Sequence, residues 1–382
     1  MLQVSDKRMN IGIVVPYFTP YVRGNEYGLA QSLADLGHNV TIIASTARAP
    51  REKMVAETAR GGRLDFDVNY LPALIDIGDN PIVTGIDKRI RNHDVLMLQE
   101  DYPFICHRAY AAARKFGIPT ILSSERTYYP ESIVKRYALS VLDATVNKKL
   151  RDGVDILTAH CTAAREFMIG ELGVRREVRV IHVGVDTELF RPMESEGKYL
   201  TEGGFRILTV ARLHRYKGLL YLLEAMKRIR EEVHDAHLYI IGKGSEEQNL
   251  RSRTEKLELS SVVTFLTRPI PNQEMSALYA ECDLYVQPSI VEPYGIAVLE
   301  AMACGKPVVG TGVGGMLDTV EDGETGFLVE SMDSRGLAER IIMLSDPGLR
   351  GEFGQAARKR MEDKFDWRCI ADEYLEVIDA IG

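Results

Sequence analysis

The 382-residue sequence lacks the features that define disulfide scaffolds, zinc proteins and membrane-spanning proteins. Its five cysteines are far apart, and no Cys-x-x-Cys pair or Cys/His cluster has zinc-ligand spacing. No run approaches the roughly 18–20 uninterrupted apolar residues that a membrane-spanning helix needs. The first eight residues contain no apolar stretch typical of a secretory leader. We therefore expect buried, reduced thiols in a cytoplasmic protein.

Positive charge is scarce as well, with 47 Lys and Arg against 55 Asp and Glu and a formal net charge of −8. The deficit lies in the second half, because residues 1–190 contain 24 basic and 23 acidic residues whereas residues 191–382 contain 23 and 32. Affinity for nucleic acid rests mainly on Lys and Arg contacts to phosphate, so we expect no nucleic-acid partner. Residues 101–150 are locally positive, with eight basic and four acidic residues, which leaves room for a weak contact with a membrane surface or an anionic substrate.

Short apolar runs rich in β-branched residues alternate with longer amphipathic stretches, such as the helix predicted over 132–150. This alternation predicts parallel sheets with helices on both faces. The polar, glycine-rich segment 186–204 interrupts the pattern, which restarts with a strand at 205–211. We therefore predict two doubly wound α/β domains. Ligands in such folds bind beyond the carboxyl ends of strands, which is where the candidate residues should lie.

Two cations follow the strand predicted over 206–210. Arg212 comes directly after this strand, and Lys217 stands immediately before the helix predicted from Gly218. A helix N-terminus attracts anions through its N–H groups and dipole, and an Arg fork with a Lys would complete a diphosphate clamp. A solvated basic loop is the alternative, and this segment alone does not decide between the two.

The segment 289–302 (SIVEPYGIAVLEAM) is more specific. Glu292 precedes an apolar helix that Gly295 opens, and Glu300 stands eight residues further on, inside the helix. Carboxylates can accept hydrogen bonds from sugar hydroxyls, and a buried glutamate needs a polar partner. The alternative is a surface turn followed by an ordinary helix glutamate. The N–H groups that could face a phosphate at the helix start are those of Tyr294, Gly295 and Ile296.

The stretch from Glu292 to Glu300 (EPYGIAVLE) resembles the Glu-x7-Glu motif of retaining family 4 glycosyltransferases, which have the GT-B fold. Residues 210–218 are similar to the strand–Arg–x4–Lys–Gly motif of this family, and residues 182–192 (HVGVDTELFRP) to its Gly-Val-Asp interdomain segment. The resemblance covers essentially the whole chain. Further matching segments are 36–43, 303–318, 322–329 and 365–367.

The resemblance implies an α/β GT-B architecture in which two doubly wound, Rossmann-like domains face a central cleft. The first, 1–187, would bind the acceptor and be completed by a C-terminal helix at 365–382. The second, 188–364, would bind the nucleotide-sugar. A donor site of this kind needs no cofactor besides the nucleotide-diphosphate sugar, which is a co-substrate.

The resemblance also implies roles for single residues. Arg212 and Lys217 would hold the donor diphosphate and stabilise the leaving group, and Glu300 would bind the ribose hydroxyls. Glu292 would orient the transferred sugar, and it completes the catalytic set. The remaining donor-binding residues implied by the family motifs are Gly24, Asn25, Gln99, Tyr294, Gly295, Ile296 and Ala297.

Two positions depart from the family pattern. The glycine pair that approaches the diphosphate after the first strand is Gly24-Asn25 here, so the second glycine is missing and Asn25 could donate a side-chain hydrogen bond instead. The family histidine that contacts the donor sugar is replaced by Gln99. Gln donates and accepts hydrogen bonds but does not titrate, which excludes a protonating role at this point and leaves the sugar preference open.

The acceptor side carries a weaker signal. Glu125 and Arg126 follow the strand predicted over 120–122, and His160 follows the one predicted over 156–158, so all three should face the cleft. Asp65 and Asp67 form an Asp-x-Asp that binds metal in another glycosyltransferase fold, but a solvated strand explains them better, and we expect no metal site. Basic residues that could touch anionic lipid, or only form a solvated helix face, are Lys135, Arg136, Lys148, Lys149 and Arg151.

We therefore predict a cytoplasmic, metal-independent, retaining hexosyltransferase that acts on a glycan, lipid or small-molecule acceptor, with a weak contact at the inner membrane face as a further expectation. A sugar-nucleotide epimerase or phosphorylase-like enzyme and a non-catalytic nucleotide-sugar-binding relative stay open. An NAD-dependent dehydrogenase is disfavoured, because no Gly-x-Gly-x-x-Gly follows the first strand. The base, sugar, acceptor and oligomeric state do not follow from the sequence.

Overall fold

The structure, a computed structural model, describes residues 8–20, 24–47, 64–77, 80–130 and 132–381. It divides into two compact units, the first formed by Met1–Gly184 with Trp367–Gly382 and the second by Val185–Asp366. The boundaries predicted from the sequence are 187/188 and 364/365, and the assignment of acceptor and donor to the two units stays a prediction. Most of the N-terminal segment considered for a leader, residues 1–7, lies outside the described residues.

The first unit is built on a parallel sheet. Its strands are β1 (Asn10–Val14), β2 (Asn39–Ser45), β3 (Asp67–Leu71), β6 (Val95–Gln99), β7 (Thr120–Ser124), β8 (Ile156–Ala159) and β9 (Arg179–Val180), and a separate antiparallel pair consists of β4 (Ala73–Asp76) and β5 (Pro81–Val83). The order in the seven-stranded sheet is β3-β2-β1-β6-β7-β8-β9. Strands β1, β6 and β7 are almost completely buried, which is why β1 and β6 are mostly apolar in the sequence, whereas β7 also contains Thr120, Ser123 and Ser124.

Helices cover this sheet. They are α1 (Asn25–Asp35), α2 (Ile86–Ile90), α3 (Phe104–Phe116), α4 (Ile133–Ala144), α5 (Val146–Gly153) and α6 (Thr162–Gly170). The last helix of the chain, α14 (Trp367–Asp379), also belongs to this unit. Its buried Ile370, Tyr374 and Leu375 pack in one apolar core with residues of β1 and α1.

The second unit repeats this architecture. Its strands are β10 (Phe205–Val210), β11 (Ala236–Ile241), β12 (Val263–Leu266), β13 (Leu284–Gln287), β14 (Val308–Thr311) and β15 (Gly326–Val329). They form a six-stranded parallel sheet in the order β12-β11-β10-β13-β14-β15. Its helices are α7 (Leu219–Glu232), α8 (Glu247–Lys256), α9 (Met275–Glu281), α10 (Ile296–Ala303), α11 (Met316–Thr319), α12 (Ser334–Met343) and α13 (Pro347–Arg360).

Each sheet has one topological switch point, where the strand order reverses direction. In the first unit it lies between β1 and β6, and in the second between β10 and β13. Loops that leave the carboxyl ends of such neighbouring strands run to opposite faces of the sheet and leave a crevice in which ligands bind. The two switch points are therefore the places in which to look for functional side chains.

The single helix expected over 132–150 is two helices in the structure. It breaks at Thr145, whose backbone leaves the helical region (φ −124°, ψ −89°) and whose hydroxyl donates to the carbonyl of Val141 at 2.7 Å. A β-branched residue that bonds back to its own helix in this way favours a bend or a break.

The polar segment 186–204 is anchored to the second unit. The fully buried Glu281 carboxylate accepts hydrogen bonds of 2.7 Å from the backbone N–H groups of Lys198, Tyr199 and Leu200. These bonds compensate for the burial of the carboxylate. Among the helices that the structure describes, none combines the length and the apolar character needed to cross a membrane.

Candidate active site

The switch point of the second unit brings Lys217 and Glu292 together. Lys217 ends a 3₁₀ turn after β10, and Glu292 lies in the loop between β13 and α10. The two loops are joined by the backbone, since the N–H of Ile290 donates to the carbonyl of Tyr216 at 2.7 Å. Lys217 Nζ lies 2.5 Å from Glu292 Oε2, with side chains only 11% and 7% exposed. The pair is therefore a largely buried ion pair at a ligand-binding crevice.

Glu292 is held by two more side chains. Gln287 Nε2 and Ser289 Oγ each donate to its Oε2 at 2.9 Å, and Gln287 Nε2 also lies 2.8 Å from Ser289 Oγ. The hydroxyl of Tyr285 donates to Gln287 Oε1 at 2.8 Å. Burial raises the pKa of Tyr285, so this hydroxyl stays protonated. We call Tyr285, Gln287, Ser289, Glu292 and Lys217 the Glu292 cluster.

Three members of the Glu292 cluster were missed by sequence reasoning. Tyr285, Gln287 and Ser289 are polar and stand at alternate positions along β13 and its exit, so they share one face of the strand. A polar row of this kind in an otherwise apolar buried strand is a signal that could have identified them. Their role is visible only when Glu292 is placed beside them.

Glu300 lies within α10, as the sequence predicted, and is 2% exposed. Its Oε2 accepts a hydrogen bond from the hydroxyl of Tyr279 at 2.7 Å. The carboxylate thus has the polar partner that its burial requires. Its role toward ribose hydroxyls stays a prediction.

Arg212 differs from Lys217 in its surroundings. The Arg212 side chain is exposed, and its guanidinium carbon lies 5.8 Å from the centre of the Tyr216 ring. The same ring stacks on His214 with 5.6 Å between ring centres. An exposed guanidinium at the exit of β10 is available to a ligand, whereas the Lys217 ammonium is already held by Glu292.

The start of α10 is shaped by two glycines. Gly295 precedes the helix in a left-handed conformation (φ 93°). Gly314, also left-handed, packs so closely that a Cβ atom there would lie 1.6 Å from the carbonyl oxygen of Glu292. The first N–H groups of a helix have no partner within it, and those of Ile296 and Ala297 lie in this turn. The arrangement is suited to an anion at the start of α10.

The switch point of the first unit carries amides and a histidine. Gly24, in an extended conformation, precedes α1, and Asn25 begins it. Asn25 Nδ2 lies 3.0 Å from His160 Nε2, while His160 Nδ1 lies 3.3 Å from the carbonyl of Ile181. A carbonyl only accepts, so Nδ1 carries the proton and Nε2 accepts from Asn25. Burial lowers the pKa of His160 to about 4, which keeps the ring neutral near pH 7.

Gln99 ends β6 beside this histidine. Its Oε1 lies 3.4 Å from His160 Nε2, which has no proton in this tautomer, so these two atoms do not form a hydrogen bond. Gln99 Nε2 and Asn25 Oδ1 are buried without a hydrogen-bond partner among the described residues. An amide donor and neighbouring amide acceptors are thus left over, and a hydroxyl group, which donates and accepts, complements both kinds.

Glu100, which sequence reasoning assigned no role, follows Gln99 in a left-handed conformation (φ 71°) that is uncommon for a residue other than glycine. Its carboxyl group accepts from the N–H of Glu125 at 2.5 Å and from Ser124 Oγ at 3.0 Å. Burial, reinforced by the Glu125 and Asp101 carboxylates, raises the pKa of Glu100 to about 8. A strained, buried acid at a switch point is typical of functional sites.

These residues line one small pocket of about 100 Å³. It is lined by Pro16, Asn25, Glu26, Gln99, Glu100, Tyr102, Pro103, Glu125 and His160. Asn25, Gln99, Glu125 and His160 were all predicted from the sequence, and the structure brings them together. We call this the first-unit pocket.

Arg126, by contrast, does not line this pocket and is held in an ion-pair cluster. Its guanidinium lies 2.8 Å from Asp143 and 3.3 Å from Asp101, with 9% of the side chain exposed. Arg151 is fully buried and pairs with Asp101 and Asp143. The predicted contact of Arg126 with the acceptor stays a prediction. The ion pairs do not favour it, because they already occupy the guanidinium.

The Asp-x-Asp pair lies at the opposite edge of the first sheet. Asp67 is the first residue of β3, and Asp65, just before it, accepts from Gln31 Nε2 at 3.1 Å. Both aspartates are thus at the amino end of a parallel strand, away from the switch point. Within the described ranges, no group of three or more His, Cys, Asp or Glu side chains is placed to hold a metal ion.

Solved structures of other proteins share this fold. Sucrose-phosphate synthase from Thermosynechococcus elongatus is 20% identical, with a TM-score of 0.77 over 98% of this chain and 99% of that one. Anabaena Alr3699/HepE in complex with UDP is also 20% identical, with a TM-score of 0.79 over 97% and 100%. The two Rossmann-like units therefore have the fold of these structures, the GT-B fold.

Two family models match consecutive parts of the sequence. Residues 27–189 match Glycosyltransferase Family 4, and residues 193–360 match Glycosyl transferases group 1. The chain belongs to this family of glycosyltransferases, as its motifs indicated.

Curated relatives agree with this assignment. A GDP-mannose-dependent α-(1-6)-phosphatidylinositol monomannoside mannosyltransferase of Mycolicibacterium smegmatis is 26% identical over 90% of this chain and 92% of its own length. A D-inositol 3-phosphate glycosyltransferase of Pseudarthrobacter chlorophenolicus is 32% identical over 60% of this chain, and the match spans only 56% of that relative. The alternative of a dehydrogenase receives no support from these relatives.

Proposed function

We propose that this chain is a retaining, metal-independent hexosyltransferase that transfers sugar from a nucleotide-diphosphate donor to a hydroxyl group of a glycan, lipid or small molecule. The Glu292 cluster carries the proposal. It joins a lysine, a glutamate and the N-terminus of α10 at the switch point of the second sheet. This combination is suited to a diphosphate and an attached sugar.

The transition state of the reaction requires stabilisation of the negative charge on the leaving group. As the bond between the anomeric carbon and the phosphate oxygen breaks, negative charge grows on the diphosphate. Arg212, Lys217 and the start of α10 would stabilise this charge in place of a divalent metal ion. Because Glu292 fixes the ammonium at 2.5 Å, Lys217 would need little rearrangement when the donor binds.

The acceptor needs no protein base in this proposal. Its hydroxyl oxygen attacks the anomeric carbon from the face that the phosphate leaves, and its proton passes to the departing phosphate oxygen. One carbon–oxygen bond forms as the other breaks, on the same face, so the configuration is retained. The neutral His160 and the non-titrating Gln99 suit a mechanism in which neither gains a proton.

The first-unit pocket would bind a hydroxyl of the sugar or acceptor. Gln99 Nε2 and Asn25 Oδ1, both buried and unpartnered among the described residues, supply one donor and one acceptor. Leaving such groups unpaired costs about 1–3 kcal/mol each, so a ligand that pairs them is favoured.

The relatives support a nucleotide-linked donor and leave its base open. Anabaena Alr3699/HepE was solved in complex with UDP-glucose, whereas the M. smegmatis relative is named as GDP-mannose-dependent. We therefore propose a nucleoside-diphosphate hexose as donor, with UDP-glucose and GDP-mannose as the first two compounds to test.

The test uses water as acceptor, so that the natural acceptor need not be known. The full chain is incubated with UDP-glucose or GDP-mannose in EDTA, and NMR follows the first anomer of free sugar. We expect the α-anomer, and a rate about 100-fold lower for Lys217→Ala. The matched control is Lys227→Ala, because Lys227 is an exposed lysine on α7.

Two results would contradict the proposal. Release of the β-anomer first would mean inversion. Activity that appears only after a divalent metal replaces EDTA would mean that Arg212 and Lys217 do not stabilise the leaving group by themselves.

A further inference from the structure

Glu100 joins the ends of two neighbouring strands. It follows β6 directly, and its backbone N–H donates to the carbonyl of Ser123 at 2.8 Å. Its carboxyl group lies 2.5 Å from the backbone nitrogen of Glu125 and 3.0 Å from Ser124 Oγ. One residue after β6 is therefore bonded to three consecutive residues at the end of β7.

The backbone of Glu100 would by itself favour glycine. Its φ of 71° lies in the left-handed region, which glycine and asparagine occupy more readily than glutamate. A strained residue persists where its surroundings hold it, and such residues cluster at functional sites. The hydrogen bonds of the side chain therefore explain why a glutamate occupies this position.

The strand ends that Glu100 joins form two sides of the first-unit pocket. Gln99, which precedes it, and Glu125, whose N–H it accepts, both line the pocket. Gln99 Nε2 is buried without a partner among the described residues. An amide binds a ligand hydroxyl in a productive geometry only when it is held in place. The bonds of Glu100 can set this geometry through the two sides of the pocket.

A neutral carboxyl group can make both side-chain bonds of Glu100. One oxygen accepts from the N–H of Glu125, and the other donates its proton to Ser124 Oγ. Burial, reinforced by the carboxylates of Glu125 and Asp101, raises the pKa of Glu100 to about 8. The neutral form therefore predominates at pH 7. Ionisation adds a third negative charge beside these two, and like charges repel.

Other titratable groups surround Glu100. They are Glu26, Asp101, Tyr102, Cys106, Glu125, Arg126 and His160. Burial raises the pKa of Tyr102 and of Cys106 and lowers the pKa of His160 to about 4, so these three stay neutral between pH 6 and pH 9. A change in the pocket near pH 8 is therefore expected from Glu100.

We propose that Glu100 is a positioning residue of the proposed reaction. By joining the two strand ends, it holds the Gln99 amide where this amide binds a hydroxyl group of the donor sugar. Glu100 acts through its neighbours and exchanges no proton with the substrate. Its neutral form is the active one, so activity falls as Glu100 ionises. The inference rests on the proposed function, since it requires that the pocket receives the sugar.

The first test is hydrolysis of UDP-glucose or GDP-mannose by the full chain from pH 6 to pH 9. We expect kcat/KM of the unchanged chain to fall about tenfold between pH 7 and pH 9, because the neutral fraction of a group with a pKa of about 8 falls by that factor. Glu100→Gln should keep its rate, since glutamine makes both bonds and does not ionise. Glu100→Met has a similar length but makes neither bond, and should be at least about tenfold slower at pH 7.

The matched control is Glu166→Gln, because Glu166 is an exposed glutamate on α6 of the same unit. It should follow the pH profile of the unchanged chain. All variants should bind UDP or GDP like the unchanged chain in a thermal-shift assay, because a nucleoside diphosphate has no hexose for Gln99 to bind. This readout separates loss of positioning from loss of the donor site. If Glu100→Met does not fold, the pH profile of Glu100→Gln still decides.

A second test uses no donor. The backbone amide signals of Gln99 and Glu125 are followed by NMR from pH 6 to pH 9. Both should move with a midpoint near pH 8 in the unchanged chain and in Glu166→Gln, and should stay fixed in Glu100→Gln. If neither donor is hydrolysed, the proposed function fails, and this test still decides whether Glu100 holds the two sides of the pocket.

Four results would overturn the proposal. Glu100→Met could match the rate of the unchanged chain at pH 7. Glu100→Gln could lose activity with pH as steeply as the unchanged chain, which would assign the loss to another group. Glu100→Gln could be as slow as Glu100→Met, which would mean that the carboxyl group itself meets the substrate. Finally, the two amide signals could move equally with pH in Glu100→Gln and in the unchanged chain.

Discussion

At the scale of single residues, the ion pair of Lys217 and Glu292 is the feature on which the site depends most. Both side chains are about nine-tenths buried, and the carboxylate has two further donors, Gln287 and Ser289. A buried pair adds little net stability by itself, but removal of one partner leaves a charge that burial strongly disfavours. Stability and function are therefore linked at this position.

Replacement of the lysine tests this link. We expect Lys217→Met to lower the free energy of unfolding by about 2–4 kcal/mol, because Glu292 keeps its buried charge without a cation. The double variant Lys217→Met/Glu292→Gln should recover much of this loss, since glutamine is neutral. Urea unfolding of the single and double variants measures both effects. A double variant that loses the sum of the two single losses would mean that the two groups do not interact.

Glu100 predicts a dependence of stability on pH. The pKa of its carboxyl group is raised from 4.5 to about 8 by burial and by the carboxylates of Glu125 and Asp101. Between these values the folded state holds a proton that the unfolded state has lost. The contribution of Glu100 to stability is therefore fully present below about pH 4.5 and is lost as the pH rises toward 8. In this range the free energy of unfolding falls by about 1.4 kcal/mol for each pH unit.

The substitution Glu100→Gln should remove this dependence. Glutamine can still accept from the N–H of Glu125 and donate to Ser124 Oγ, but it does not ionise. We expect the variant to lose less stability than the unchanged chain between pH 6 and pH 9 in urea unfolding. If the free energy of unfolding fell equally with pH in the two proteins, Glu100 would be ionised in the folded state near neutral pH.

At the scale of elements, the loop before α11 fixes the start of α10. Gly314 is left-handed (φ 55°), and a Cβ atom there would overlap the carbonyl of Glu292. Gly323 is left-handed too (φ 79°), yet a Cβ atom there would meet nothing within 4 Å. The two glycines have the same kind of backbone strain and differ in the space around them.

These glycines form a matched pair for mutagenesis. Gly323→Ala should cost only the conformational strain, about 1–2 kcal/mol. Gly314→Ala should cost clearly more, because the backbone of Glu292 must move, and it should weaken binding of a nucleoside diphosphate. Urea unfolding and ligand titration of both variants check this. Equal losses of stability, or unchanged binding in Gly314→Ala, would mean that the loop does not shape the site.

Most strands of the two sheets could be predicted because buried parallel strands leave apolar runs, as in β6, whereas the short strands β9 and β15 were not predicted. The break at Thr145 could not, since the helical period continues through it and only the backbone angles mark the end of α4. Of the Glu292 cluster, Lys217 and Glu292 were predicted and the other three residues were not. Gln287 and Ser289 form a polar row with Tyr285, but their partner is known only when Lys217, 75 residues away from Glu292 in the sequence, is placed beside Glu292.

Glu100 was missed for a similar reason. It follows a buried strand like many loop glutamates, and its partners Ser124 and Glu125 come 24 and 25 residues later. Family motifs identify positions whose residue type is constrained, whereas a group that matters because of its burial has no signature in one sequence. Membership of the family was therefore readable from the motifs, and the organisation of the first-unit pocket was not.

At the scale of the whole molecule, two sheets of the same architecture carry different chemistry at their switch points. The second unit presents cations and a helix start, which suit a diphosphate, and the first presents amides and a neutral histidine, which suit hydroxyl groups. This division agrees with the proposal of a diphosphate donor in the second unit and a hydroxyl group of the sugar or acceptor in the first. We predict that the switch point of the second unit binds a nucleoside diphosphate.

A thermal-shift series in EDTA tests this claim most directly. The unchanged chain is heated with UDP, GDP, ADP or NAD at about 100 times the dissociation constant, where a ligand adds about 2.7 kcal/mol and should raise the midpoint by at least about 2 °C. We predict a shift with one nucleoside diphosphate that is lost in Arg212→Ala and kept in Arg228→Ala, an arginine of α7 that pairs with Glu232. A shift with NAD alone, or a nucleoside-diphosphate shift that survives in Arg212→Ala, would contradict the account.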